Sequence, residues 1–294
     1  MSMSMRPIST KADLLGESPV WDGDRRRLYW IDSVSRVIRC HETGSGAFRE
    51  WSTPSQVGSI GLGAGETLVT GLADGIYTLD LETGAFTTVF KPELSDPRIR
   101  FNDGKNDRKG RFLCGTMGVH AEPLGRLYRV DDARRIAVLA ENIRISNAIC
   151  FSPDGATLYF ADSLERKIRA YDYSDEKPHA AAPRVFFDTE PCQSGPDGAT
   201  VDAEGYLWVC MIQVGKIARI APNGALDRLI DAPTDLPSCV AFGGPDLATL
   251  FVTSIKDSGT GRAVSRHPQG GMTFAIEGLG ARGLPEARFG QSAH

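Results

Sequence analysis

Residues 145–172, ISNAICFSPDGATLYFADSLERKIRAYD, hold the pattern on which the fold turns. An apolar segment at 148–152 runs into the turn pair Asp154 and Gly155. The β-branched and aromatic run TLYFA at 157–161 follows, then a short polar stretch, then a second run at 168–172. Short runs of this composition, punctuated by Asp and Gly, read as antiparallel strands joined by tight turns.

The unit recurs along the chain. Its first strand reads LYWID at 28–32, TLVTG at 67–71, RFLCG at 111–115, TLYFA at 157–161, YLWVC at 206–210 and TLFVT at 249–253. Its second falls at 37–41, 76–80, 127–131, 168–172, 217–221 and, most weakly, 262–266. Upstream of the turns lie further apolar segments at 18–21, 60–62, 148–152, 199–202 and 239–242, the expected innermost strands. Repeats of about 40 to 50 residues built this way are the signature of a β-propeller with one four-stranded blade per repeat. The fold expected is therefore all-β, a six-bladed β-propeller. No linker or charge block interrupts it, so residues 1–294 are expected to form one domain.

Composition narrows the function. Lys and Arg number 33 against 37 Asp and Glu, a formal charge of −4, which argues against nucleic acid as the partner because phosphate binding needs clustered cations. The one dense basic stretch, 24–27, falls at a turn and reads as a solvated loop. MSMSMRPISTKADLL at the start has no apolar core of signal-peptide length, and no run approaches the roughly 18 apolar residues of a membrane span. A soluble cytoplasmic protein is expected, a monomer or weak homo-oligomer without membrane contact. The six cysteines lack CxxC spacing, so neither a disulfide nor a thiolate zinc site is expected. Cys192 is the one to watch, in a loop close to Asp197.

In a propeller the innermost strands run side by side around a central channel, so residues at equivalent entry positions converge on one mouth. Those positions hold Glu17, 57–59 (VGS), Arg100 and Asn102 with Asp103, Ser146 and Asn147, Asp197, and Ser238. Two carboxylates facing each other in a partly dehydrated channel repel and lose hydration, and a divalent cation relieves both costs. Glu17 and Asp197 with the amide oxygen of Asn147 make an all-oxygen set. It suits Ca²⁺, Mg²⁺ or Mn²⁺ and can hold Zn²⁺ or Fe²⁺. No GxSxG elbow and no phosphate-binding glycine loop followed by a helix is present, so neither a serine hydrolase nor a nucleotide enzyme is indicated.

Over roughly residues 14–254 the chain resembles the SMP-30/gluconolactonase/luciferin-regenerating family. The carrying motifs are GESPVW at 16–21, RFNDGKNDRKGRFLCGTM at 100–117, ISNAICFSPDGATLYFADS at 145–163 and PDGATVDAEGYLWV at 196–209. The resemblance implies a six-bladed propeller that hydrolyses a sugar-acid lactone with one divalent metal. It places the metal ligands on Glu17, Asn147 and Asp197, and the substrate contacts on Arg100 and Asn102. One departure stands out: where many members carry an acid shortly after the GTM motif, this chain has Gly118, Val119 and His120, with Glu122 beyond. His120 is then a candidate to hydrogen-bond a substrate hydroxyl or relay a proton. The other histidines, at 41, 179, 267 and 294, read as strand-end, loop or tail residues.

The mechanism expected is metal-assisted ester hydrolysis, with the cation polarising the carbonyl, Arg100 and Asn102 orienting the sugar, and the water deprotonated either with help from Asp197 or on the metal without it. Its rivals are an arylesterase or phosphotriesterase using the same metal, and a non-catalytic propeller stabilised by calcium.

Overall fold

The computed structural model describes residues 3–94, 96–132, 134–174 and 183–291, so His179 and His294 lie outside it. Its strands form six four-stranded antiparallel sheets. Blade 1 spans 16–52, blade 2 57–90, blade 3 99–143, blade 4 146–188, blade 5 196–231 and blade 6 237–277. The innermost strands are Gly16–Asp22, Val57–Leu62, Ile99–Asn106, Ser146–Phe151, Pro196–Val201 and Pro237–Gly243. Each packs against the innermost strands of both neighbouring blades, and the sixth meets the first. A closed six-bladed β-propeller results.

No single core supports this ring. The buried apolar residues fall into six clusters, one in each wedge between adjacent blades, such as Val20, Ile31 and Ile38 against Leu68 and Leu79 between blades 1 and 2. Trp21, Leu28 and Trp30 meet Phe251 and Ala275 across the closure between blades 6 and 1. Alternation along each strand puts one face into each wedge, which is why the repeats read so clearly.

Five of the six second strands lie where the sequence places them; residues 262–266 form no strand. The third strand of blade 6 is Phe274–Glu277, and its outer strand is Ser4–Pro7, which pairs antiparallel with it (Arg6 opposite Ala275) and joins the two ends of the chain. Buried Phe274, Ala275 and Ile276 supply the apolar face a strand needs, whereas Val264, the one large apolar side chain of 262–266, is exposed. That segment instead makes the return arm of a small hairpin: Asp257 bridges Val264, and the Ser258 amide donates to the Ala263 carbonyl (2.9 Å). Gly259 and Gly261 at its tip hold φ of +71°, which side chains resist.

The C-terminal segment closes the channel at the end where the inner strands finish. The Phe289 amide donates to the Leu62 carbonyl (2.7 Å), Asn106 Nδ2 donates to the Ala287 carbonyl (2.8 Å), and Arg288 pairs with Asp22 (2.6 Å). The open mouth is thus at the strand starts. The basic stretch at 24–27 is neutralised locally, with Arg25 bonding Asp22 and Glu66 while Arg27, already inside a strand, bonds Glu42 and Glu66. Among the described residues no helix is long and apolar enough to cross a membrane.

Candidate active site

All six inner strands break register near their starts: between Glu17 and Val20, Val57 and Ser59, Phe101 and Gly104, Asn147 and Cys150, Pro196 and Ala199, and Pro237 and Val240. A bulge leaves residues unpaired and re-aims their side chains. Glu17, Asn102 with Asp103, Asn147 and Asp197 sit at or inside these breaks. The distortion is costly, because Ser18 and Ala148, the residues after Glu17 and Asn147, adopt positive φ of 49° and 55° without being glycine.

Acidic side chains fix the approach to two of these strands. Asp32, ending the second strand of blade 1, accepts from the amides of Leu14 (2.9 Å) and Leu15 (3.2 Å). Asp162 does the same in blade 4, accepting from Arg144 (2.7 Å) and Ile145 (3.2 Å). At Gly58 a Cβ would lie 2.6 Å from the Asn102 carbonyl oxygen, so only glycine lets blade 2 approach the RFNDG bulge.

Glu17, Arg100, Asn102, His120, Asn147 and Asp197 all line one cavity of about 780 Å³. A chain of hydrogen bonds runs across it. Arg100 Nη1 donates to Asn102 Oδ1 (2.8 Å) and to the Phe101 carbonyl (2.9 Å). Asn102 Nδ2 donates to the Ser146 carbonyl (2.9 Å) and more distantly to Asn147 Oδ1 (3.4 Å). Asn147 Nδ2 donates to Ser163 Oγ (2.8 Å), which donates to the carbonyl of Pro196, the neighbour of Asp197 (2.7 Å). This network fixes the Asn147 amide with its oxygen toward Asn102 and a lone pair to spare.

The electrostatics are unbalanced. Burial pushes the Glu17 carboxyl well above the usual range, and the charges of Asp197 and Asp103 push it further. Burial likewise raises Asp197, with Asp103 adding to it. Glu17 accepts one hydrogen bond, from the adjacent Ser18 amide (3.2 Å), and among the described residues no cationic side chain reaches ion-pair distance of either carboxylate. Arg100, lowered to about 10 by burial and held up by Glu17, stays charged at neutral pH. Two carboxylates and an amide oxygen without a neutralising partner fit a hard divalent cation, whose charge would reverse these shifts. The fit rests on the amide, since no three His, Cys, Asp or Glu side chains converge among the described residues.

Other expected mouth residues turn away. Ser238 Oγ donates to the Gly16 carbonyl (2.5 Å), and Ser59 Oγ lies 3.3 Å from Cys114 Sγ. Cys192 is not among the cavity walls; it ends a short 3₁₀ turn, Glu190–Cys192, and burial raises its thiol pKa. His120 stands exposed at the rim, where its carbonyl accepts from Arg262 Nη2 (2.9 Å). Glu122 is engaged elsewhere, bonded to Arg98 (2.9 Å) and to the His120 amide (3.0 Å).

Asp103, expected at the mouth beside Asn102, lies deeper, in a narrow continuation of the channel with Lys105 and Glu286, and accepts from the Ile149 amide (3.0 Å). Arg36 and Arg262, which the sequence reading of the site did not single out, also line the cavity. Arg262 gave no signal because its segment reads as a blade strand.

The family model described as SMP-30/Gluconolactonase/LRE-like region matches residues 15–256. L-arabinolactonase of Azospirillum brasilense is 34% identical, with 96% of this chain and 94% of that protein covered. 6-deoxy-6-sulfogluconolactonase of Pseudomonas putida is 30% identical, covering 94% and 95%. The crystal structure of regucalcin from Agrobacterium tumefaciens, described as a calcium-binding protein, superposes with a TM-score of 0.90 at 28% identity, covering 98% of this chain and 97% of that one. With a family model matching residues 15–256 and relatives at 30% identity or more over nearly the whole chain, the chain belongs to the SMP-30/gluconolactonase/LRE-like family.

Proposed function

We propose that the protein hydrolyses the lactone of a sugar acid, with one divalent cation held by Glu17, Asn147 and Asp197. The observation that carries this is the pair of buried carboxylates, neither in an ion pair among the described residues, beside an amide oxygen at one cavity wall. Relatives named for sugar lactones, L-arabinolactonase and 6-deoxy-6-sulfogluconolactonase, support the substrate class, and the calcium-binding description of the Agrobacterium structure supports the cation.

When bound, the cation supplies Lewis-acid polarisation of the ring carbonyl and offsets the acidic charge. The protein's own groups do the rest. Arg100 spends Nη1 on Asn102 and the Phe101 carbonyl, which leaves Nε and Nη2 to bond substrate oxygens and orient the ring. Asp197 takes a proton as water oxygen bonds to the carbonyl carbon. The ring C–O bond then breaks, its oxygen takes the proton, and a hydroxy acid leaves. His120, at the rim, contacts a ring hydroxyl.

Proton release across a panel of aldonolactones, after chelation and readdition of Ca²⁺, Mg²⁺, Mn²⁺, Zn²⁺ or Fe²⁺ in turn, tests this directly. Turnover is expected to vanish with the chelator and return with at least one cation. Glu17→Gln, Asn147→Ala and Asp197→Asn should each remove it. Full turnover in the chelated protein, or in any of the three variants, would overturn the assignment. A cation that binds without any lactone turning over would leave a binding propeller instead.

A further inference from the structure

The hairpin at 256–266 sits where the sequence promised a blade strand, and it carries Arg262 to the cavity mouth. Beside it the loop at 33–36 brings Arg36 to the same mouth. The two loops are neighbours: a Cβ at Gly259 would lie 3.9 Å from both Val34 methyl carbons. On its other side the hairpin meets the 118–122 loop through the bond from Arg262 to the His120 carbonyl (2.9 Å). A continuous arc of rim therefore carries two guanidinium groups.

Neither has an acidic partner among the described residues. Arg262 bonds a neutral carbonyl, and Arg36, exposed and held at φ +59°, bonds nothing through its side chain. Arg98 close by shows the contrast, tied to Asp96 (2.8 Å) and Glu122 (2.9 Å). Unpaired guanidiniums at a mouth are unexpected in a chain of net charge −4. The cavity wall counts three guanidiniums, Arg36, Arg100 and Arg262, against two carboxylates, Glu17 and Asp197, and those two are assigned to the cation. Glu122, the acid nearest in sequence to the expected sugar contact, is meanwhile engaged by Arg98 and the His120 amide and lines no part of the cavity. The rim presents guanidinium donors for an anion and no carboxylate beyond Glu17 and Asp197.

We propose that the substrates are lactones carrying an oxyanion group on the substituent that projects from the ring toward the mouth, with Arg36 and Arg262 binding that group. This rests on the lactonase reading above. A phosphate, sulfonate or carboxylate offers the planar oxygen pairs that guanidinium forks recognise, and a neutral hydroxyl does not. The site is solvent-exposed, so its contribution falls with salt.

The test uses the intact, metal-loaded protein and δ-lactones identical except at C6, bearing phosphate, sulfonate, carboxylate or hydroxyl. The kcat/KM of at least one anionic lactone should exceed that of the hydroxyl parent by about tenfold at low ionic strength, and the ratio should shrink toward one in roughly 0.5 M salt. Arg36→Gln with Arg262→Gln should cut that ratio about tenfold, and which of the three anions gains most names the group. A ratio of one in the wild type, or a ratio the double variant leaves unchanged, overturns the proposal. Calorimetry with the ring-opened 6-phospho and 6-hydroxy acids reads the same site without turnover. If no lactone is hydrolysed but the 6-phospho acid binds about tenfold more tightly, in an Arg36- and Arg262-dependent manner, the anion site stands and the lactonase reading falls. Equal binding of the two acids sinks the anion site whatever the activity.

Discussion

Glu17→Gln should stabilise the protein that lacks its cation and destabilise the protein that has it. In the metal-free fold the Glu17 carboxyl is raised by burial and by its acidic neighbours, so above its ordinary value the native state binds more proton there than the unfolded chain does. A carboxyl whose pKa is raised on folding contributes stability below its unfolded value, and that contribution is lost as pH rises. Each unit is worth about 1.4 kcal/mol, so keeping the proton at pH 7 against an ordinary value of 4.5 costs at most about 3.5 kcal/mol. Glutamine, nearly isosteric and uncharged, recovers up to that amount at pH 7 and under about 1 kcal/mol at pH 5. With cation the order inverts once binding outweighs that gain, because a ligand at a thousand times its Kd stabilises the wild type by about 4.1 kcal/mol and the variant gains little. Urea unfolding at pH 5 and pH 7, with chelator and with saturating Ca²⁺ or Mn²⁺, gives the four comparisons needed. A Gln variant less stable than wild type with chelator present would show that Glu17 is held by protein partners, and the cation argument would lose its basis.

Arg100→Ala should lower kcat/KM for sugar lactones by roughly 10- to 100-fold, the worth of a hydrogen bond to a charged group, while a simple aliphatic lactone is affected less; equal losses on both would deny it a role in orienting the sugar. Gly58→Ala places a Cβ 2.6 Å from the Asn102 carbonyl, so steady-state kinetics should show reduced kcat/KM alongside a stability loss of about 1–3 kcal/mol in urea. Phe289→Ala empties a side chain buried at 6% exposure in the cluster it shares with Val69, Ile76 and Phe101, and should cost about 3–5 kcal/mol by denaturant titration while leaving KM near wild type.

The blades were legible because their signal is local and repeated. A run such as TLYFA followed by a polar turn and IRAYD states its own hairpin, and six copies state closure. Blade 6 was misread for the same reason inverted. Its third strand, Phe274–Glu277, comes after a long excursion, and its fourth, Ser4–Pro7, comes from the other end of the chain, so neither stands where a repeat would place it. Ser4–Pro7 carries no buried residue, and its existence is decided by the edge it covers. The acids and amide at the channel mouth were legible as equivalent positions on inner strands. Their bulges were not, since Ser18 and Ala148 are ordinary residues in a conformation normally left to glycine. Sequence pattern gives the face a residue belongs to; a bulge overrides that pattern, and only the neighbouring blades specify it.

That override shows how the molecule meets the cost of its site. Positive φ at Ser18 and Ala148 and the buried carboxylates of Glu17 and Asp197, neither ion-paired among the described residues, are local choices that folding alone would reject. They persist because what surrounds them is over-determined. Ser18 Oγ is locked by the Ile60 amide, Ala148 is fully buried in the wedge between blades 4 and 5, and Asp103 takes the Ile149 amide that the bulge frees. Each strained residue is thus held by a different blade from its own or by the wedge between two. The strain is sustained by ring closure, not by any one sheet. Loosening the closure at Ser4–Pro7 should therefore relax the bulges and blunt cation binding well before the blades themselves unfold.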